Sequence, residues 1–256
     1  MGHHLMPRLG QSKRWREVVS SIANGESVDL IAARTVHASE AALKAGTSDP
    51  HFHAVVSMLV SLPLAARSPE FSESASELGL DLPPDPDLLD LSIAVSSALD
   101  GRTADKSDFG EMAQLSLVES LTGAVEADLP SLFDPEPGAV RTALGRMAGG
   151  DRFATFAQDF FARLTHRVLD YYLAREMAAH VGHDARFATD AERRDFDAAL
   201  ARHCHEAATI VRDYSGGWYG KNIWQGDGPT PSNIQGYAGY AFTKIRNELR
   251  KRLDDG

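Results

Sequence analysis

Cysteine is almost absent from this chain of 256 residues: Cys204 stands alone. No intrachain disulfide can form, and no cysteine-based zinc site can be assembled from one chain. Such usage suits a reducing compartment, and a cytoplasmic location is expected. Long apolar runs are missing as well. The richest, Ala54 to Ala66, is interrupted by Ser57, Ser61 and Pro63 and falls short of the roughly 20 residues that span a bilayer, so no membrane partner is expected. The first residues lack the apolar stretch of a signal peptide, and Met6 stands where a myristoylation signal needs Ser or Thr. A short tag ahead of a start at Met6 explains His3 and His4 as well as any function does.

Basic residues are scarce in one region only. Between Ser68 and Glu136 sixteen acidic residues face just Arg102 and Lys106. The formal charge of −10 is therefore uneven, −14 in this middle third and +4 in the remainder. That third should repel nucleic acid and could meet a basic partner, although a merely solvated acidic surface accounts for it equally.

Strand signals are also lacking, since no period-two run of β-branched and aromatic residues is bounded by hairpin turns. What is present is helical from end to end, and the fold class expected is an all-α multi-helix bundle. A first helix, about Ser12 to Ala23, aligns Trp15, Val18, Val19 and Ile22. A second is expected from Val28 to Ala45. A third follows Ser48-Asp49-Pro50, where Asp49 can cap and Pro50 suits the first turn, and Pro63 should end or kink it.

Helices are expected again from Asp87 or Leu88 to Asp100, and from a capping box of Asp108 and Glu111 to about Ala127. Three prolines between Leu129 and Gly138 mark the best boundary. They divide a flexible stretch 1–11 and a helical subdomain 12–130 from a second subdomain 137–253. In the latter, Asp151 should cap a long helix to about Val181, and Thr189 with Glu192 should box the next. Thr230-Pro231 should open a final helix to Leu253, with Ile234, Tyr237, Ala241, Ile245 and Leu249 facing inward.

The segment from Ser215 to Gly228, "SGGWYGKNIWQGDG", reads as a glycine- and aromatic-rich loop before that last helix. As a phosphate-binding loop it fails: Ser215 falls where the first glycine belongs, Asn222 replaces the hydroxyl, and a helix precedes it. The aromatics with Lys221 could stack bases. Glycines beside aromatics more often let the rings pack down, so a structural plug is the first reading. If the loop also serves a protein partner, Trp218, Tyr219, Lys221, Trp224 and Tyr237 are its contact residues.

Two other constellations carry potential chemistry. Basic residues at the two ends, Arg14 and Arg16 with Lys244 and Arg250, could join Lys221 in contacting nucleic acid. A helix-turn-helix in the first 45 residues is poorly supported, because the second helix offers only Arg34 and Lys44. His166 and Asp170 share a face at i and i+4, and with His203 they could begin a metal site in a helical bundle. The carboxylate-rich repeat of di-metal bundles is missing, so a surface pair of His166 with Asp170 and a core His203 are the plainer readings. Cys204, on an apolar helix, reads as a small buried residue. No motif calls for a cofactor, and the pattern points away from catalysis.

The runs "LTHRVLDYYLAREMAAHVG" (Leu164 to Gly182) and "FDAALARHCHEAATIVRDYSGGWYGKNIW" (Phe196 to Trp224), followed by a basic helix, resemble the C-terminal part of helical proteins encoded in bacterial antiphage defence loci, Qat-like clusters among them. The resemblance covers about residues 153 to 253 and brings no active-site residues with it. It implies an accessory subunit of a multi-component bacterial system. The function expected is thus a non-catalytic helical interaction protein with a protein partner. Nucleic-acid association and a metal-dependent enzyme are the alternatives.

Overall fold

The computed structural model describes residues 5–7, 9–10, 12–102, 106–129, 136–224 and 228–254. Its helices are α1 (Lys13–Ala23), α2 (Val28–Ala38), α3 (Glu40–Gly46), α4 (Pro50–Arg67), α5 (Phe71–Glu77), α6 (Leu88–Arg102), α7 (Asp108–Asp128), α8 (Ala139–Met147), α9 (Gly150–Ala179), α10 (Asp190–Ala207), α11 (Thr209–Trp224) and α12 (Pro231–Asp254). Among the described residues there is no strand, only an isolated bridge between Val181 and Phe187. The protein is an all-α multi-helix bundle.

Local chemistry sets many of the boundaries. Ser12 Oγ accepts from the Trp15 N–H at 3.2 Å and opens α1. Asp49 Oδ1 accepts from Phe52 N–H at 2.9 Å and, with Pro50 behind it, opens α4. Thr189 caps α10 through the Glu192 N–H, while Glu192 reaches back to the Ala188 N–H at 2.8 Å. Several expectations need correction. Asp151 does not cap α9: the helix starts at Gly150 with Gly149 as its cap, and Asp151 lies in its first turn. The cap of α7 is Ser107, whose Oγ accepts from Gly110 N–H, and not Asp108. The single helix expected over 28–45 is broken at Ser39, which turns its hydroxyl back onto the Thr35 carbonyl at 2.7 Å. Pro63 does not end α4, which continues to Arg67 with Pro63 buried inside it. The proline leaves the Leu59 carbonyl without its i+4 donor, and at the next carbonyl, Val60, the Tyr219 hydroxyl donates at 3.2 Å.

The 30-residue α9, about 45 Å long, is the spine. It packs most extensively on α11, then on α10 and α7, and touches α1, α2 and α8. Phe153, Phe156, Phe160, Phe161, Leu164, Val168 and Tyr172 are all buried along it. A second spine, α4, carries α5, α6, α7, α8 and α12. One hydrophobic core takes in residues of both expected subdomains: α12 lies on α2 and α4, and Phe242 meets Phe52 and Phe109 edge-on. Most of the proline-rich boundary, 130–135, lies outside the described residues. Within the stretch expected to be flexible, Met6 is buried and its backbone N–H donates to Asp108 at 2.8 Å. No described helix is long and apolar enough to cross a membrane.

Candidate functional site

From Ser215 to Trp224 the expected glycine-aromatic loop is helix, the end of α11, and Gln225 to Asp227 lie outside the described residues. The loop geometry of a phosphate site is therefore not present over 215–224. One of the glycines of α11, Gly216, serves helix packing. A Cβ on Gly216 would stand 2.9 Å from the Gly150 carbonyl oxygen at the start of α9, so only glycine permits this crossing. Gly217 and Gly220 have open space. Tyr219 is fully buried, stacked on Phe153 with ring centroids 3.8 Å apart. Tyr237 is also buried, and its hydroxyl lies 2.7 Å from Ser215 Oγ, which itself donates to the Val211 carbonyl. Burial pushes both phenols well above the ordinary tyrosine range. Tyr219 and Tyr237 are therefore core, not partner anchors, and the plug is built by packing α11 into the bundle. Trp218 is half-buried and stacks on Tyr237 at 4.2 Å. Lys221 is exposed, and the side chain of Trp224 lies outside the described residues.

The basic ends do meet in part. Arg250 pairs with Glu40 at 3.0 Å and Arg14 approaches the same carboxylate at 3.9 Å. Burial, helped by these two cations, lowers the pKa of neighbouring His37. Arg16 is exposed, and Lys244 sits over the Tyr240 ring at 5.1 Å. Two of the five cations put forward for nucleic acid thus already hold a protein carboxylate.

A cleft lies over α9 where α7 and α10 diverge. Two adjoining cavities of about 500 Å³ and 540 Å³ share Asp159, Arg163 and His205. His166 and Asp170 line the first, but His166 Nε2 bonds Asp197 of α10 at 2.8 Å instead of pairing with Asp170. Asp170 has a raised pKa, through burial first and the nearby Asp197 carboxylate second. Arg163 binds Asp159 at 2.8 Å and Glu119 at 3.3 Å, and Arg167 also binds Glu119. The helix phase decides which histidine of α10 faces this cleft. Ala201 and His205 line it, following Asp197 at intervals of four, whereas His203 is two residues out of step and does not. Among the described residues no group of three or more His, Cys, Asp or Glu side chains could hold a metal ion, so the metal triad His166, Asp170 and His203 is not assembled. Cys204 is fully buried, and desolvation pushes its thiol well up, away from the reactive thiolate.

Within the acidic third, which the sequence already offers to a basic partner, three exposed apolar residues that no sequence-based candidate includes stand out on α6 and α7. Leu89 is 65% exposed, Ile93 56% and Leu115 53%. Leu89 and Ile93 are one turn apart on α6. The Gln114 amide donates to the Ser96 carbonyl at 3.4 Å and to Asp100 at 2.9 Å, which sets Leu115 beside the C-terminal half of α6. The inner side of α6 rests on α7 and α4. A signal was available: α6 carries Leu88, Leu89, Leu91, Ile93, Val95 and Leu99, apolar all round, as expected of a buried helix and not of a peripheral one.

Among the described residues the fold is that of an all-α multi-helix bundle. No family model, curated protein or solved structure matches the chain.

Proposed function

We propose that this protein works by association, as a non-catalytic accessory subunit of a multi-component bacterial system, with antiphage defence the setting its C-terminal resemblance suggests. The observation that carries the reading is the α6–α7 face, where three large aliphatic side chains more than half exposed lie in the acidic third of the chain. Scattered single apolar residues need no explanation, but grouped ones rimmed by charge are a mark of contact surfaces. The inert state of the chemical candidates supports the same reading: Cys204 is buried, and Arg163, Arg167 and His166 are held by protein carboxylates.

The test is native mass spectrometry of the protein recovered from its host with the neighbouring genes expressed. A stoichiometric protein partner that the double variant Leu89→Asp, Ile93→Asp fails to retain is the expected result. A lone chain, or one carrying a metal ion or an oligonucleotide instead, would overturn the reading.

A further inference from the structure

We infer that the α6–α7 face receives a basic amphipathic helix of a partner protein, not a second copy of this chain. The inference rests on the association reading above and adds the chemistry of the partner.

Geometry selects a helix. Leu89, Ile93 and Leu115 form a patch running about 12 Å along an adjacent helix pair, taking the helical rise per residue from Leu89 to the level of Leu115. Two neighbouring helices present a groove between their outer ridges, and a third helix with apolar residues at intervals of three and four fills such a groove. Because α6 packs its inner side on α7 and α4, a helix laid on the outside would add a layer without disturbing the core.

Charge selects the partner. Asp87 and Asp90 bracket Leu89, while Glu111 and Glu119 stand one turn before and one turn after Leu115 on the same side of α7. Glu119 already binds Arg163 and Arg167, Asp100 binds Lys106 at 2.6 Å, Asp87 and Asp90 each accept the other's backbone N–H, and Glu111 is engaged as well, yet these contacts leave most of the carboxylates charged and the segment keeps its large acidic excess. A two-fold dimer through this face would set the acidic rim against its own copy, and like charges across an interface are unfavourable. Lysines or arginines flanking an apolar stripe meet the rim with opposite charge and also speed the encounter.

The test uses the full chain and two synthetic helical peptides of about 20 residues, long enough to cover the patch. Both carry leucines at helical spacing; one has lysines on either side of the stripe, its twin glutamates. Fluorescence anisotropy is expected to show one lysine peptide bound per chain and no binding of the twin. The Leu89→Asp, Ile93→Asp variant, with circular dichroism unchanged because both positions are exposed, is expected to bind about tenfold more weakly or worse, as loss of central apolar anchors does. Added salt should weaken binding further. Equal binding of the two peptides, undiminished binding to the variant, or self-association of the wild type that the variant abolishes would each overturn the inference. Failure of the lysine peptide, while the wild type recovered from the host keeps a partner that the variant loses, would overturn the basic helix and leave the association reading standing.

Discussion

Gly216 and Gly217 are adjacent in sequence and opposite in consequence. A methyl group on Gly216 meets the backbone of Gly150 at 2.9 Å, whereas one on Gly217 meets nothing within 4 Å. Gly216→Ala should therefore force α11 off α9 and destabilise the fold by about 1–3 kcal/mol, the usual cost of overpacking. Gly217→Ala should stabilise it by about 0.5–1 kcal/mol through helix propensity. Paired urea melts decide this, and equal effects would refute the close crossing. Asp170 offers a second residue-scale expectation. Its folded pKa is raised, so the native state holds this proton more tightly than the unfolded chain does. The stability it contributes is complete when protonated and falls as pH rises from the ordinary carboxylate value, about 3.9, through the raised one. Asp170→Asn should then be more stable than wild type at pH 7, with the advantage shrinking towards pH 4. Cys204 should resist a thiol reagent in the native protein and react on unfolding, which a labelling time course in and out of urea will read.

At the scale of elements, the apolar periodicities of α1, α4, α9, α10 and α12 and the caps of α4, α10 and α12 were legible because they depend on residues close in sequence. Asp49, Thr189 and the phenylalanines of α9 announce themselves locally. α11 was not legible. Glycine punctuates loops far more often than it lines a helix crossing, and what decides between them here is Gly150, sixty-six positions away from Gly216. Pro63 misled for a similar reason, since the hydroxyl that supplies a donor beside it comes from Tyr219 on α11. Tyr219→Phe keeps the stack on Phe153 and removes only that bond, so a loss of about 1 kcal/mol is expected, measurable in the same melts. For the candidate sites, His166 and Asp170 share a helix face, as their spacing implies, and line one cavity, but His166 pairs with Asp197 and not with Asp170. Their third partner was misassigned because the rotational phase of α10 against α9 depends on packing that spacing within one helix does not encode. The acidic third was legible from its charge as a candidate contact surface, but the exposure of Leu89 and Ile93 within it was not, because a helix apolar on most sides looks buried until its neighbours are known.

The whole molecule is closed by contacts between distant parts of the chain. Arg250 reaches Glu40 across 210 positions, and Phe242 completes an aromatic cluster with Phe52 and Phe109. Removing residues from Pro231 onward should therefore expose the sides of α2 and α4 that α12 covers, and light scattering on the shortened chain is expected to report aggregation; a monomeric, fully helical product would show that the core is complete without α12. The same closure governs biosynthesis. On the ribosome, α2 and α4 emerge about 190 and about 160 residues before the helix that shields them, so their apolar sides remain uncovered for much of translation. Late closure leaves apolar surface on the nascent chain exposed, the condition under which chaperones act.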